Sequence, residues 1–316
     1  MISKNVSMFL RGIGTFFVIL AHYSQWYLTM ADGNNIWQLL SKTGRYGVAV
    51  FFVVSGYGLV FSVRGGGLDT HWIYRRIINV YFPYIVIVGI IHLLEKKQWT
   101  TSGVVRYLLG MDAWFVFVII IFYIIFYLAW KFSKHSMIWI AVGVTITSVV
   151  LALTIKDSVW YASNISFLVG VAAGQYDKKI GEWLHEKRKM CSIVLLIAFL
   201  CSGGVYTFFT NRSEVIYLVG KIAASALWAM LLIAVFANRD ISNSIIERIG
   251  TASLEIYLIH IFVLQVVGIL NDEIGVIAVL FIATVLTLVL GQLIHRLFIM
   301  INNVTNTFHI NSDMLR

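Results

Sequence analysis

Residues 9–26 read FLRGIGTFFVILAHYSQW, an eighteen-residue run that is apolar apart from a few polar side chains. A helix of about this length crosses the hydrocarbon core of a bilayer. Similar runs recur along all 316 residues, of which 59% are hydrophobic and only 12% charged, with a mean hydropathy of +0.85. Soluble domains carry about 25% charged residues, and β-barrel strands are segments of about ten residues with alternating polarity. The sequence therefore predicts an all-α fold, a polytopic transmembrane helical bundle.

Apolar segments of about 20 residues predict about ten spans within one membrane-embedded domain, residues 1–316. They lie at 7–29, 45–63, 77–94, 113–130, 136–155, 160–176, 190–209, 217–237, 251–270 and 275–300. If the N-terminus is cytoplasmic, two thirds of the 24 Lys and Arg residues fall on the cytoplasmic side. Cytoplasmic loops carry the excess of basic residues. We therefore expect a multi-pass protein of the cell (cytoplasmic) membrane with both termini cytoplasmic.

The net charge of +9 is explained by basic loops beside anionic lipid, so membrane lipid is an expected partner. No dense basic run with interleaved aromatics indicates nucleic-acid binding. Cys191 and Cys201 lie ten residues apart in one apolar segment, and no spacing is typical of a metal site, so we expect no metal. The sequence leaves the oligomeric state open.

Arg11 and His22 are costly inside an apolar segment, and their spacing places them on one helix face. Eleven steps of 100° end only 20° past three full turns, with the side chains about 16 Å apart along the axis. Ionisable side chains at such depth face a protein interior or a watery cavity. Gly12 and Gly14 allow another helix to approach this face. The pattern favours an anionic substrate threaded inward from Arg11 to His22 through one tunnel.

Six segments, in this order, resemble the acyltransferase-3 family of integral membrane acyltransferases. They are Arg11–Gly12–Ile13 with His22, GRYGVAVFFVVSGYGLVF (44–61), WIYRRIINVYFPY (72–84), WFVFVIIIFYIIFYL (114–128), ISFLVGVAAGQY (165–176) and IGTASLEIYLIH (249–260). The resemblance covers nearly the whole chain and is to a stand-alone membrane domain without an appended hydrolase-like domain. It departs from the family at Asn79, where Arg-x-x-Arg is common after Arg76. Asp112 stands before Trp114, where relatives often have a histidine.

The resemblance implies a membrane-bound O-acyltransferase that uses acyl-coenzyme A, with acetyl-CoA as the expected donor. The expected acceptor is a hydroxyl of a cell-surface or lipid-linked carbohydrate. His22 would act as general base or transient acyl carrier with Arg11 as its catalytic partner, and Arg11, Arg75 and Arg76 would bind the coenzyme A phosphates. Arginine suits this task because its planar guanidinium contacts phosphate in a bidentate manner.

Five further residues are candidates to line the cavity: Ser55, Trp114, Glu255, Tyr257 and His260. An intramembrane carboxylate such as Glu255 is a functional candidate, although pairing with Arg248 or Arg75 explains it equally well. The alternative function is a small-solute or amino-acid transporter that uses the same His, Arg and Glu cluster. Transporters typically have repeated halves with interrupted spans, whereas this chain shows no repeat and has one proline, Pro83.

Overall fold

The computed structural model describes residues 1–30 and 35–313, with side chains described as far as residue 301. The described chain is helical, with no strand. Its helices are α1 (Lys4–Met30), α2 (Asn35–Leu40), α3 (Gly44–Gly66), α4 (Thr70–Leu94), α5 (Thr101–Leu108), α6 (Trp114–Phe132), α7 (Ser136–Thr154), α8 (Ile165–Gln175), α9 (Asp177–Phe208), α10 (Glu214–Phe236), α11 (Ser244–Thr251), α12 (Ser253–Gly268), α13 (Asn271–Ile274) and α14 (Val276–Asp313). The fold class predicted from the sequence, an all-α polytopic bundle, is confirmed.

Eight helices in the described chain are long and apolar enough to cross a membrane, or nine if α11 and α12, bent by 79°, form one span. The sequence predicted ten. If α11 and α12 are counted as one span, the difference is the predicted span 160–176, where α8 has only 11 residues. At 1.5 Å per residue this helix is about 16 Å long, roughly half of a hydrocarbon core.

The missing part of that span is a buried, irregular segment before α8. Residues 161–164 are all buried. The Ser163 hydroxyl donates to the Arg45 carbonyl oxygen at 3.1 Å, and the Asn164 amide donates to the Ser148 hydroxyl at 3.1 Å. Non-helical backbone at membrane depth is tolerated where protein covers it. Hydropathy cannot distinguish such a segment from a helix because both are apolar.

Helices α1 and α3 lie at the centre of the bundle and α9 at its edge. In the most apolar part of each span, 67% of the residues are buried for the segment that contains α3, but only 11% are buried for α9. Close backbone approach at glycines holds the centre together. A Cβ on Gly12 of α1 would overlap the Ile246 carbonyl oxygen of α11, and one on Gly170 of α8 would overlap that of Val53 in α3.

Helix α12 packs against α1, α4 and α14, which places its side chains among the ionisable residues of three spans. The preceding helix α11 begins at a reciprocal N-cap: Asn243 Oδ1 accepts from the backbone N–H groups of Ile245 and Ile246, and Glu247 Oε1 accepts from the N–H of Asn243. The sharp bend between α11 and α12 lets α11 cross α1 at Gly12 while α12 runs along the bundle. Glu255, Tyr257 and His260 thereby face the interior.

Candidate active site

Two cavities meet at Tyr257 of α12, which lines both of them. One has a volume of about 540 Å³ and contains His22; we call it the His22 cavity. The other has a volume of about 250 Å³ and contains Arg11; we call it the Arg11 cavity. The single tunnel expected from the sequence is therefore two cavities with a shared wall. Tyr257 is the side chain that the two linings have in common.

The Arg11 cavity gathers ionisable side chains from α1, α4, α12 and α14. Arg11, Ser55, Arg76 and Glu255 line it, as do Asn79 and His295. Helix α4 begins after Asp69, whose carboxylate accepts from the Trp72 backbone N–H at 2.6 Å. Arg76 and Asn79 follow, three residues apart and so on one face of α4.

The two guanidinium groups of the Arg11 cavity have no ion pair among the described residues. Arg76 is close enough to repel Arg11 electrostatically. The carboxylate of this cavity, Glu255, is 4% exposed and pairs instead with His295, with 3.0 Å between Oε1 and Nδ1. Glu255 is thus not paired with Arg248 or Arg75. The arrangement leaves two cations free to bind an anion.

The His22 cavity combines the imidazole with aromatic and basic side chains. Gln25, one turn along α1, interacts with the His22 ring. Trp114 and Trp160 line the wall with ring centroids 6.2 Å apart, and Arg45 and Lys221 supply positive charge. Pockets of about 300–1,000 Å³ hold small organic ligands. The cavity therefore has a volume that fits a small organic ligand.

His260 lies beside His22, with 5.0 Å between the ring centroids. His260 is 1% exposed, and its Nδ1 lies 2.6 Å from the Tyr257 carbonyl oxygen. Because a carbonyl oxygen only accepts, Nδ1 carries a proton, and the lone pair of a neutral ring would then lie on Nε2. That Nε2 is buried and has no hydrogen-bond partner within the described residues.

Most of the residues selected from the sequence line one of the two cavities, but Arg75 and His260 line neither. Arg75 is exposed, one position before Arg76. Asp112 also lies apart, since its carboxylate is 3.5 Å from His92, 3.4 Å from Lys97 and 3.8 Å from Arg106. It does not stand in for a cavity histidine.

Sequence reasoning missed Arg45, Lys221 and His295 as lining residues. Lys221 and His295 fall inside the predicted spans 217–237 and 275–300, so the cost of an ionisable group in lipid was a signal that could have selected them. Arg45 lies at the first residue of a predicted span and was considered only for orientation. The role of Arg45 in the cavity depends on where α9 and α10 lie relative to α3. The spacing of residues along the sequence gives no information about that arrangement.

The described residues contain no group of three or more His, Cys, Asp or Glu side chains that could hold a metal ion. Comparison with protein-family models gives a match over residues 8–296 to the model described as an acyltransferase domain. The match runs from α1 into α14 and includes the residues of both cavities. Neither the curated proteins nor the solved structures contain a match to this chain.

Proposed function

The chain belongs to the acyltransferase-3 family of membrane acyltransferases, and we propose that it transfers an acyl group from acyl-coenzyme A to a carbohydrate hydroxyl. Acetyl-CoA is the proposed donor, and a cell-surface or lipid-linked sugar is the proposed acceptor. The observation that carries this proposal is the division of the site at Tyr257. Two unpaired guanidinium groups line one side, and an imidazole lines the other.

The Arg11 cavity receives the donor. Coenzyme A carries phosphate groups, and arginine binds phosphate through two parallel, charge-assisted hydrogen bonds. Arg11 and Arg76 have no carboxylate to compete with such a ligand within 4 Å in the described chain. The exposed Arg75 adds a cation at the same end of α4, outside the cavity. The acyl end then extends along α1 toward Tyr257 and His22.

The His22 cavity receives the acceptor. The flat faces of Trp114 and Trp160 suit the apolar face of a sugar ring, while Gln25 and Tyr217 offer hydrogen bonds to its hydroxyl groups. The hydroxyl that is to be acylated lies against His22.

The reaction exchanges a thioester for an ester. The acceptor oxygen attacks the thioester carbonyl carbon, the C–O bond forms and the C–S bond breaks. His22 takes the hydroxyl proton as a general base and returns it to the departing thiolate, so the products are the ester and free coenzyme A thiol. Such proton transfer contributes about 10²–10⁴-fold in rate. In the acyl-histidine route the His22 nitrogen attacks the thioester carbon, and the C–S bond breaks with release of the coenzyme A thiolate. The acceptor hydroxyl then attacks the acyl carbon, the C–N bond breaks, and the hydroxyl proton passes to the thiolate.

His260 acts as a positioning residue behind His22. Its protonated Nδ1 is held by the Tyr257 carbonyl, so its unpartnered Nε2 is an acceptor that favours one orientation of the neighbouring ring. His260→Gln is expected to lower kcat while leaving KM for donor and acceptor near the wild-type values. A rise in either KM with unchanged kcat would contradict this role.

The test uses purified protein in lipid nanodiscs supplied with acetyl-CoA and sugar acceptors, with thiol release and acetylated product measured together. His22→Ala is expected to lower transfer about 10²–10⁴-fold. A hydrogen bond to a charged group contributes about 1.5–3 kcal/mol, so Arg76→Gln is expected to raise KM for acetyl-CoA tenfold or more.

Lys134→Gln is the matched control because Lys134 is exposed and lines neither cavity. It should leave both kinetic constants unchanged. A His22→Ala variant that folds and keeps full transfer would refute the proposed chemistry. Wild-type protein that releases no thiol but accumulates a solute in vesicles would favour the transporter alternative.

A further inference from the structure

Arg45 is a cation of the His22 cavity held by aromatic hydroxyls and ring faces. Its Nη2 donates to the hydroxyl of Tyr206 and, at 3.1 Å, to that of Tyr46. Its guanidinium carbon lies 4.1 Å from the Tyr206 ring centroid and 4.7 Å from that of Tyr46. The buried Nε has no partner within the described residues. The charge is therefore fixed in place, and one of its donors is unused.

Lys221 is a second cation held in the same way. Its Nζ donates to the Ser158 hydroxyl at 2.5 Å and to the Tyr217 hydroxyl at 3.4 Å. Arg45 is close enough to repel it electrostatically. Throughout the described chain, neither cation has a carboxylate oxygen within 4 Å.

The fixed charge lining the His22 cavity is positive. Among the described residues that line this cavity, three are basic and one is acidic: Lys42, Arg45 and Lys221 against Asp157. Asp157 is exposed, and its Oδ1 accepts from the Val159 backbone N–H at 3.0 Å. Asp157 acts on Lys221 electrostatically, but neither cation forms an ion pair in the described chain, and partly desolvated charges without an ion pair are unfavourable. A bound anion would relieve that cost and use the free Nε of Arg45.

Arg45 and His22 line the same cavity. Gly44 of α3 packs against Ala21 of α1, since a Cβ on Gly44 would lie 3.0 Å from the Cβ of Ala21. Arg45 and His22 are the next residues of these two helices, and both side chains line the cavity. One small molecule can therefore meet the cation and the imidazole together.

We propose that the acceptor carries a phosphate or carboxylate group, which Arg45 and Lys221 bind while a hydroxyl of the same molecule lies at His22. This inference rests on the proposed function only for the reaction that the acceptor undergoes. The anion site itself is argued from the residues that line the His22 cavity. It restricts the acceptor to acidic sugars, either sugar phosphates or uronic acids.

The test measures binding and transfer separately, in nanodiscs with coenzyme A at saturation so that the Arg11 cavity is filled. Glucose 1-phosphate, methyl glucuronide and neutral methyl glucoside are titrated, and the shift in the thermal unfolding midpoint is recorded. We expect at least one anionic sugar to bind tenfold or more tightly than methyl glucoside. The comparison of glucose 1-phosphate with methyl glucuronide shows whether the site binds phosphate or carboxylate more tightly.

Arg45→Gln and Lys221→Gln are each expected to weaken binding of the anionic sugar about tenfold. Arg45→Lys and Lys221→Arg keep the positive charge and should therefore retain part of the binding affinity that the glutamine variants lose. The matched control is Arg212→Gln, because Arg212 stacks on Phe208 at 3.7 Å and does not line the cavity. It should bind all three sugars as the wild type does.

Equal binding of the three sugars, or no binding of any, would overturn the anion site. The same follows if Arg212→Gln weakens binding as much as Arg45→Gln. Failure of the proposed reaction is detected by separate measurements. In that case coenzyme A would not shift the thermal unfolding midpoint and acetyl-CoA would release no thiol, whether or not the sugars bind.

Discussion

At the scale of single residues, Tyr257 decides how the site is divided. It lines both cavities, and its ring packs 5.7 Å from that of Phe115 and 5.8 Å from that of His260. In the proposed reaction the thioester passes this ring to reach His22. The ring therefore lies beside the proposed path of the thioester.

Tyr257→Ala is expected to join the two cavities and raise hydrolysis of acetyl-CoA without an acceptor, at least threefold. The physical reason is that water then reaches the thioester and competes with the sugar hydroxyl. Thiol release with and without acceptor measures the effect. Tyr257→Phe keeps the ring and should not raise hydrolysis, so an equal rise in both variants would contradict the role of the ring.

Glu255 shows what residue-level reasoning from sequence can establish. Its place inside an apolar span indicated that it faces the protein interior, and it is 4% exposed. Its partner, His295, lies 40 residues away on α14. The spacing of residues along one helix shows which of them share a face. Only the packing of helices shows which residues of two segments meet.

At the scale of elements, α8 is the helix that the sequence described least well. It is too short to cross a membrane, yet it lies at the centre because its glycines allow backbone contact with α3. Gly56 and Gly170 meet the backbone of the opposite helix. Small residues permit such approach in membrane bundles, where packing is a main source of helix association.

Gly170→Leu is expected to lower the free energy of unfolding by about 3 kcal/mol, since the side chain forces α8 away from Val53. Thermal unfolding in detergent measures the change. Gly204→Leu is the matched control, because a Cβ there meets nothing within 4 Å and the residue is exposed on α9. Equal destabilisation by both variants would contradict the packing argument.

At the scale of the whole molecule, the two ends of the bundle differ in charge. The end formed by the N-terminus and the α3–α4, α6–α7, α8–α9 and α10–α11 junctions, counted with the adjoining helix ends, carries more basic residues than the opposite end. By the positive-inside rule, we propose that the first end, with the N-terminus, faces the cytoplasm. The proposed donor cavity then opens where acyl-coenzyme A is available.

Labelling with a membrane-impermeant thiol reagent tests this orientation in a chain with Cys191 and Cys201 replaced by alanine. Lys187→Cys is expected to react only after the membrane is opened, and Lys156→Cys is expected to react in intact cells. The reverse pattern would place the Arg11 cavity on the outer side and contradict the proposed donor route.

The sequence alone determined the fold class, because a chain so apolar satisfies its backbone in lipid only as helices or a closed barrel. It also selected Arg11, His22, Glu255, Tyr257 and His260, because ionisable and polar groups in lipid are costly. The tertiary structure decided how these residues are grouped: two cavities with a shared wall, a His22–His260 contact and the Glu255–His295 pair. It also decided that one predicted span is a short helix after a buried loop. These features depend on packing between distant segments, and the periodicity of one segment carries no information about its neighbours.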